Sequence, residues 1–266
     1  MTAAQSAHPI TRCYLARHCD VANPDGVLYG HLPNFGLSTK GRQQGEVLGR
    51  YLAQTGVGAI YTSPLQRAQE TASLLASELF PPPPVLSRPA LVEAEFGRYL
   101  QGTRYRDVLW RKPRWWVHMV WPGLVPGDES MGKMASRVEQ VIAEGRREHP
   151  GGAFVCISHG DPIQAFWATS DHRLPWALHR LQCAKGGLLE LQYRDQELTS
   201  KTYRSPQDLA TAVTGSEATE PAAAIPRPGW SRQRSDQLSG AVTPPVVSPG
   251  SARVRTEPDA GGPGPP

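Results

Sequence analysis

The chain has 266 residues, enough for one or two domains with a substantial core, and its net charge of +4 is too small an excess to favour a nucleic-acid partner. No stretch approaches the roughly 20 consecutive apolar residues of a membrane span, and the N-terminus lacks the charged-then-apolar pattern of a secretory leader. Four widely spaced cysteines, Cys13, Cys19, Cys156 and Cys183, form no C-x-x-C pair, so a reducing compartment and a cytoplasmic location are expected.

Of the 26 prolines, 11 follow Ser205, in a stretch rich in Gly, Ser, Thr and Ala. This predicts a flexible N-terminus over 1–9, a folded domain over 10–204 and a disordered tail over 205–266. Residues 204–266 hold six Arg against six Asp plus Glu, which leaves the positive excess in the folded part. A small anionic substrate suits that excess, with neither nucleic acid nor membrane expected as a partner.

In chain order, Ile10 to Ala16 is a short apolar run ending at Arg17, the pattern of a central strand. Cys19 to Leu37 is rich in Gly, Pro, Asn and Asp and reads as a loop at a strand end, where function concentrates. Ser38 caps a helix through Val47, Leu48, Tyr51 and Leu52, which Gly56 and Gly58 end. A second strand, Ala59 to Thr62, leads into a helix opened by Ser63-Pro64, with Leu65, Ala68, Ala72, Leu75 and Leu79 on one face. Strand, helix and strand make a βαβ unit.

The prolines at 81 to 84 stop that helix, and Val85 to Val92 returns to the core and delivers Glu93. From Gly97 to Gly127 the pattern is irregular, with Trp110, Trp115, Trp116 and Trp121 among Arg104, Arg106, Arg111, Lys112 and Arg114. We read about 98–127 as a lid insertion, with aromatic packing beneath a solvated charged face as the plainer alternative. Met131 to Glu148 reads as a helix, Ala153 to Ile157 as a strand ending in Ser158-His159-Gly160-Asp161, and Pro162 to Ala168 as a helix. Gly187 to Tyr193 and Glu197 to Tyr203 form a hairpin.

Two strands thus end in a histidine, and ligands of open α/β sheets bind at strand ends. His18, His159, Arg17 and the helix-borne Arg67 are able to converge there on one anion, the planar guanidinium forking onto two phosphate oxygens. Singly, each histidine would read as a structural residue and Arg67 as a surface charge. Together they reverse that reading.

Four blocks in order carry a resemblance: Arg17-His18; Ser63-Pro64-Leu65-Gln66-Arg67-Ala68-Gln69-Glu70-Thr71; Glu93 with Phe96-Gly97; and Ser158-His159-Gly160. They resemble the histidine phosphatase superfamily, the phosphoglycerate mutase-like group, over about residues 10 to 204. The resemblance implies an α/β fold, a three-layer αβα sandwich around a mostly parallel sheet. It also implies metal-free phosphoryl transfer without a cofactor. His18 would be the nucleophile, Arg17, Arg67 and His159 would hold the phosphoryl oxygens, and Glu93 would be the general acid and base. Asn23 and the backbone N–H of Gly160 are further expected donors. Glu95, two residues on, competes with Glu93 for its role.

In two places the chain departs from the family pattern. The family glycine after the nucleophile is here Cys19, so either the turn tolerates a Cβ or activity is reduced. A redox-sensitive Cys19 beside a basic pocket is a lesser possibility. The family asparagine lies six residues after the nucleophile, whereas Asn23 lies five after His18. Phe96, at a position that is Tyr in mutases, favours hydrolysis of a small phosphorylated metabolite over mutase activity. Cys19 also motivates a different class, a catalytically weak phosphate-binding or regulatory module. No Cys is followed six residues later by Arg, and His118, His149, His172 and His179 lack metal-ligand spacing, so no metal site is expected.

Overall fold

A largely buried apolar run makes Ile10–Arg17 the strand β1, which lies between two neighbours in a six-stranded sheet. The computed structural model describes residues 9–95, 100–121 and 123–215. Helix α1 (Thr39–Leu52) starts where the Ser38 hydroxyl accepts from the Gly41 N–H, and it leads to β2 (Val57–Thr62). Then follow α2 (Gln66–Ser77), β3 (Val85–Ser87) and a 3-10 turn over Pro89–Leu91. The long α5 (Met131–Glu148) precedes the fully buried β4 (Ala153–Ser158) and α6 (Gly160–Ser170). Another 3-10 turn, Pro175–Arg180, precedes the hairpin of β5 (Leu188–Arg194) and β6 (Glu197–Arg204).

The strand order is β3-β2-β4-β1-β5-β6, with β3, β2, β4 and β1 parallel and the final hairpin antiparallel. The βαβ unit is realised by β2, α2 and β3, whereas β4 inserts between β1 and β2. One face of the sheet offers Cys13, Leu15, Phe154 and Cys156 to Val138, Ile142, Ile163 and Phe166 of α5 and α6. The other offers Tyr14, Ala16, Val155 and Ile157 to Leu48 and Leu52 of α1 and Ala72 and Leu75 of α2. Helices on both faces give the three αβα layers. The helix after β1 covers one face and the helix after β4 the other, which opens a crevice at the adjoining carboxyl ends of β1 and β4.

Two segments depart from the sequence expectation. Within the stretch read as irregular, α3 (Tyr105–Arg111) and α4 (Arg114–Val120) form, two short helices whose bulky Trp and Arg residues carry no core-facing period. The expected tail over 205–266 begins instead with α7 (Pro206–Thr214), closed by Gly215 at φ +69°. Ser205 and Asp208 form a reciprocal capping box, Pro206 occupies the first turn, and Leu209 is buried against the α1 side of the sheet. Residues 1–8 and 216–266, Phe96 and Gly97 lie outside the described residues.

Gly145 lets α5 press onto the sheet, because a Cβ there would lie 2.4 Å from the Phe154 ring. Gly145→Ala is therefore expected to lower stability by about 1–3 kcal/mol despite the better helix propensity of alanine. Urea unfolding followed by circular dichroism measures this.

Candidate active site

The register Arg17↔Ser158 between parallel β1 and β4 makes the next residues, His18 and His159, neighbours across the strand ends. The His18 N–H donates to the Ser158 carbonyl at 3.0 Å, and the two imidazole centroids lie 5.0 Å apart. Both residues are fully buried.

The ring of His18 is held from both sides. Its Nδ1 lies 2.8 Å from the Cys19 carbonyl oxygen, an acceptor only, so the ring proton sits on Nδ1. That leaves the Nε2 lone pair in the crevice, where it accepts from Arg67 Nε at 3.2 Å. Burial, then the positive charges of Arg67 and Arg17, hold the imidazole well below its ordinary pKa. His18 is thus a neutral, oriented nitrogen nucleophile at neutral pH.

Arg67, on α2, is a buried hub. Its second terminal nitrogen donates to the Gly30 carbonyl at 2.9 Å and to His159 Nδ1 at 3.1 Å, and lies 4.0 Å from Glu93 Oε2. The guanidinium sits 4.7 Å over the ring of Tyr29, which stacks on Phe35. Because His159 Nδ1 accepts from Arg67, its Nε2 carries the proton and meets Ser63 Oγ at 2.8 Å. Burial, then the charges of His18 and Arg67, keep His159 neutral as well.

Arg17 points into the same crevice. One terminal nitrogen donates to the Cys183 carbonyl, while its buried Nε has no partner among the described residues. A Cβ on Gly160 would lie 3.1 Å from the guanidinium carbon, so glycine at the first residue of α6 gives Arg17 its place. The Gly160 N–H itself stands at a helix start, free of an intrahelical acceptor.

Glu93 follows the 3-10 turn after β3, with Oε2 3.7 Å from His159 Nδ1 and Oε1 accepting from the Ala94 N–H at 3.0 Å. Burial, and next the Asp161 carboxylate, raise its pKa to about 7, against the pull of Arg67. A carboxyl with that pKa serves as either acid or base near neutrality. Glu95, its competitor, instead accepts from the Glu129 N–H through its backbone carbonyl.

Ligand atoms of His18, Glu93 and His159 lie within 4.8 Å of one another, a spacing a metal ion uses. Arg67, however, donates into both imidazole lone pairs, those a cation would need. With Arg17 alongside, the charge of the site is arranged for an anion.

Five expected site residues therefore come together: His18, Arg17, Arg67, Glu93 and His159, with Gly160 beside Arg17. Asn23 bonds its own loop, donating to the Val27 carbonyl at 2.9 Å and accepting from the Val27 N–H at 3.1 Å, which leaves one amide N–H over. Ser63, Tyr29 and the Gly30 carbonyl were missed as supports of His159 and Arg67. Ser63 opens the segment Ser63–Thr71 that carries Arg67, but nothing in the sequence marks Tyr29 or Gly30.

Cys19 does not crowd the pocket. It has no positive φ that would call for glycine, and its N–H donates to Thr71 Oγ1 of α2 at 3.1 Å. Burial pushes its thiol up to about 12, which removes the thiolate that redox sensing needs. Cys19→Gly is expected to leave kcat/KM within about twofold while costing about 1 kcal/mol of stability through lost packing and a freer chain. Steady-state kinetics beside thermal melting separates the two effects.

Sheet topology and crevice chemistry together define an α/β protein with an imidazole-guanidinium site for a tetrahedral oxyanion at its strand ends. The chain belongs to the histidine phosphatase superfamily (branch 1), whose family model matches residues 13–206. An uncharacterized protein of Mycobacterium tuberculosis is 32% identical over 204 residues, covering 75% of this chain and 98% of its own. Phosphoserine phosphatase 1 of Hydrogenobacter thermophilus is 28% identical over 163 residues, 59% of this chain and 75% of that protein. The alpha-ribazole phosphatase structure from Shigella flexneri shares the fold at TM-score 0.61 and 24% identity, covering 73% of this chain and 96% of that one.

Proposed function

We propose that the protein is a metal-independent phosphomonoester hydrolase that forms a phosphohistidine at His18. The observation that carries this reading is the fixed tautomer of His18, with Nδ1–H on the Cys19 carbonyl and Nε2 bare toward Arg67. In the first step Nε2 attacks phosphorus as the bond to the leaving oxygen breaks, and that oxygen takes the proton of Glu93. In the second, Glu93 takes a proton from water, the oxygen attacks phosphorus, and the N–P bond breaks to release phosphate and neutral His18.

Arg17, Arg67 and the Gly160 N–H supply donors for the phosphoryl oxygens, with His159 holding Arg67 in place through its Nδ1. Phosphoryl transfer asks little of the protein beyond positioning and charge stabilisation, which these groups provide without moving far. Arriving phosphate takes over the donors that Arg67 now spends on the two imidazoles. A small phosphorylated metabolite is the substrate class this reading favours. Cytoplasmic residence accords with four free, buried thiols.

Hydrolysis of a panel of phosphomonoesters, with and without chelator, tests the proposal. Turnover unchanged by chelator, with release of inorganic phosphate, is expected. Loss of turnover on chelation and its return with a divalent metal would assign the His18, Glu93 and His159 cluster to a cation. Conversion of a phosphoglycerate to its isomer without phosphate release would assign mutase activity instead.

A further inference from the structure

Helix α4 is inverted in polarity. Its buried side holds His118, paired with Asp128 at 2.9 Å, while Trp116, Val117 and Val120 face solvent and Trp115 and Met119 are half-buried. Trp116 is 56% exposed and Val120 58%, about one helical turn apart in a stripe on one face, and beyond the helix end Leu124 is 62% exposed. Val117 and Trp121, also exposed, widen that stripe, and the Trp121 N–H donates to the Val117 carbonyl at 2.8 Å. Trp110 on α3 is 87% exposed. Such a concentration of large apolar side chains exceeds the scattered exposure of an ordinary surface.

The segment preceding α4 lines a cleft of about 680 Å³ with Arg104, Arg106, Arg111 and Lys112. Over residues 104–124 these and Arg114 stand against a single carboxylate, Asp107. A second copy of this chain would bring cationic rim onto cationic rim. An acidic protein would match the charge but would not need a tryptophan-rich stripe. Tryptophan and aliphatic side chains bordered by Arg and Lys match the boundary of an anionic bilayer, where rings sit at headgroup level and cations meet lipid phosphates.

We propose that α3 and α4 form a peripheral docking surface for anionic phospholipid bilayers. The expectation that no membrane partner exists rested on the lack of a spanning segment, and no described helix is long and apolar enough to cross. Surface adsorption requires none. The α3 end of this surface is tied to the loop that supports Arg67, since the Tyr105 N–H donates to Gly26 and the Leu28 N–H to Thr103. Docking therefore holds α3, and through these two bonds the loop that carries Tyr29 and Gly30, against the bilayer.

Flotation of the full chain with phosphatidylcholine vesicles, with and without phosphatidylglycerol, tests the proposal. Binding only to the phosphatidylglycerol vesicles is expected. A Trp116→Ser/Val120→Ser double variant should lower partitioning about tenfold or more, and Arg111→Glu/Lys112→Glu should remove its salt-sensitive part. Unchanged circular dichroism and melting would show that these exposed substitutions leave the fold intact. Full-length protein that stays in the buffer, or floats equally with both vesicles, overturns the proposal. A dimer in light scattering that the Trp116→Ser/Val120→Ser variant dissociates, without vesicle binding by the parent, assigns the stripe to a second copy.

Discussion

Replacing His18 with alanine is expected to lower kcat/KM for p-nitrophenyl phosphate by about 10⁴-fold or more, with KM for phosphate ligands little changed. No other group in the crevice can take its place. His159 is turned away, its Nε2 on Ser63 and its Nδ1 engaged by Arg67. The Cys19 thiol is pushed up to about 12 and lies against Thr71. Removing His18 also leaves the Cys19 carbonyl and Arg67 Nε without a shared partner, so the variant should be compared for melting temperature as well. Stopped assays on folded protein decide the matter, and a loss of less than tenfold would point to a nucleophile other than His18.

Glu93→Gln should separate substrates by their leaving groups. An alkyl phosphate needs a proton on the departing oxygen, and its turnover is expected to fall by about 10²–10⁴-fold. p-Nitrophenolate leaves unaided, so formation of the phosphoenzyme from that ester should fall far less. Equal losses for both esters would remove Glu93 from the acid role. Because the acid must be protonated, the first step in the parent should slow as pH rises through about 7, and that limb should vanish in the variant.

The same carboxyl affects stability, with a definite sign. Its folded pKa, about 7, lies above the unfolded carboxylate value, so the folded state holds the proton more tightly. Stability from this group is fully present below the unfolded pKa and is lost as pH rises through about 7. Glu93→Gln, which stays neutral, should be more stable than the parent by about 1–3 kcal/mol at pH about 8 and indistinguishable near pH about 4. A site that sacrifices stability for chemistry behaves in this way.

The reactive pair was legible in the sequence because β1 and β4 are buried on both faces and so read as unbroken apolar runs, each ending in a histidine. What the runs did not reveal was their adjacency. Insertion of β4 between β1 and β2 is decided by packing of α5 and α6 against one face, a contact between residues far apart in sequence. Arg67 was legible as a charge in a recognisable block, but its burial against Tyr29 was not, since loop conformation places that ring. The bonds of Asn23 to Val27 were not legible, because an asparagine in a loop bonds its own backbone as readily as a ligand. Helix α7 was hidden because Pro206 was counted with the prolines of the tail, although proline in a first turn behind Ser205 is a start signal. The inverted α4 was hard to read because it is only seven residues long and its apolar stripe faces outward.

Trapping the phosphoenzyme tests the central claim most directly. After brief mixing with a radiolabelled phosphomonoester and denaturation in alkali, label should remain on the protein, be lost in acid and map to the peptide containing His18. The Arg67→Ala protein should incorporate label more slowly at the same residue, and the His18→Ala protein should incorporate none. Label that is stable to acid, maps elsewhere, or persists in the His18→Ala protein would contradict a phosphohistidine at His18.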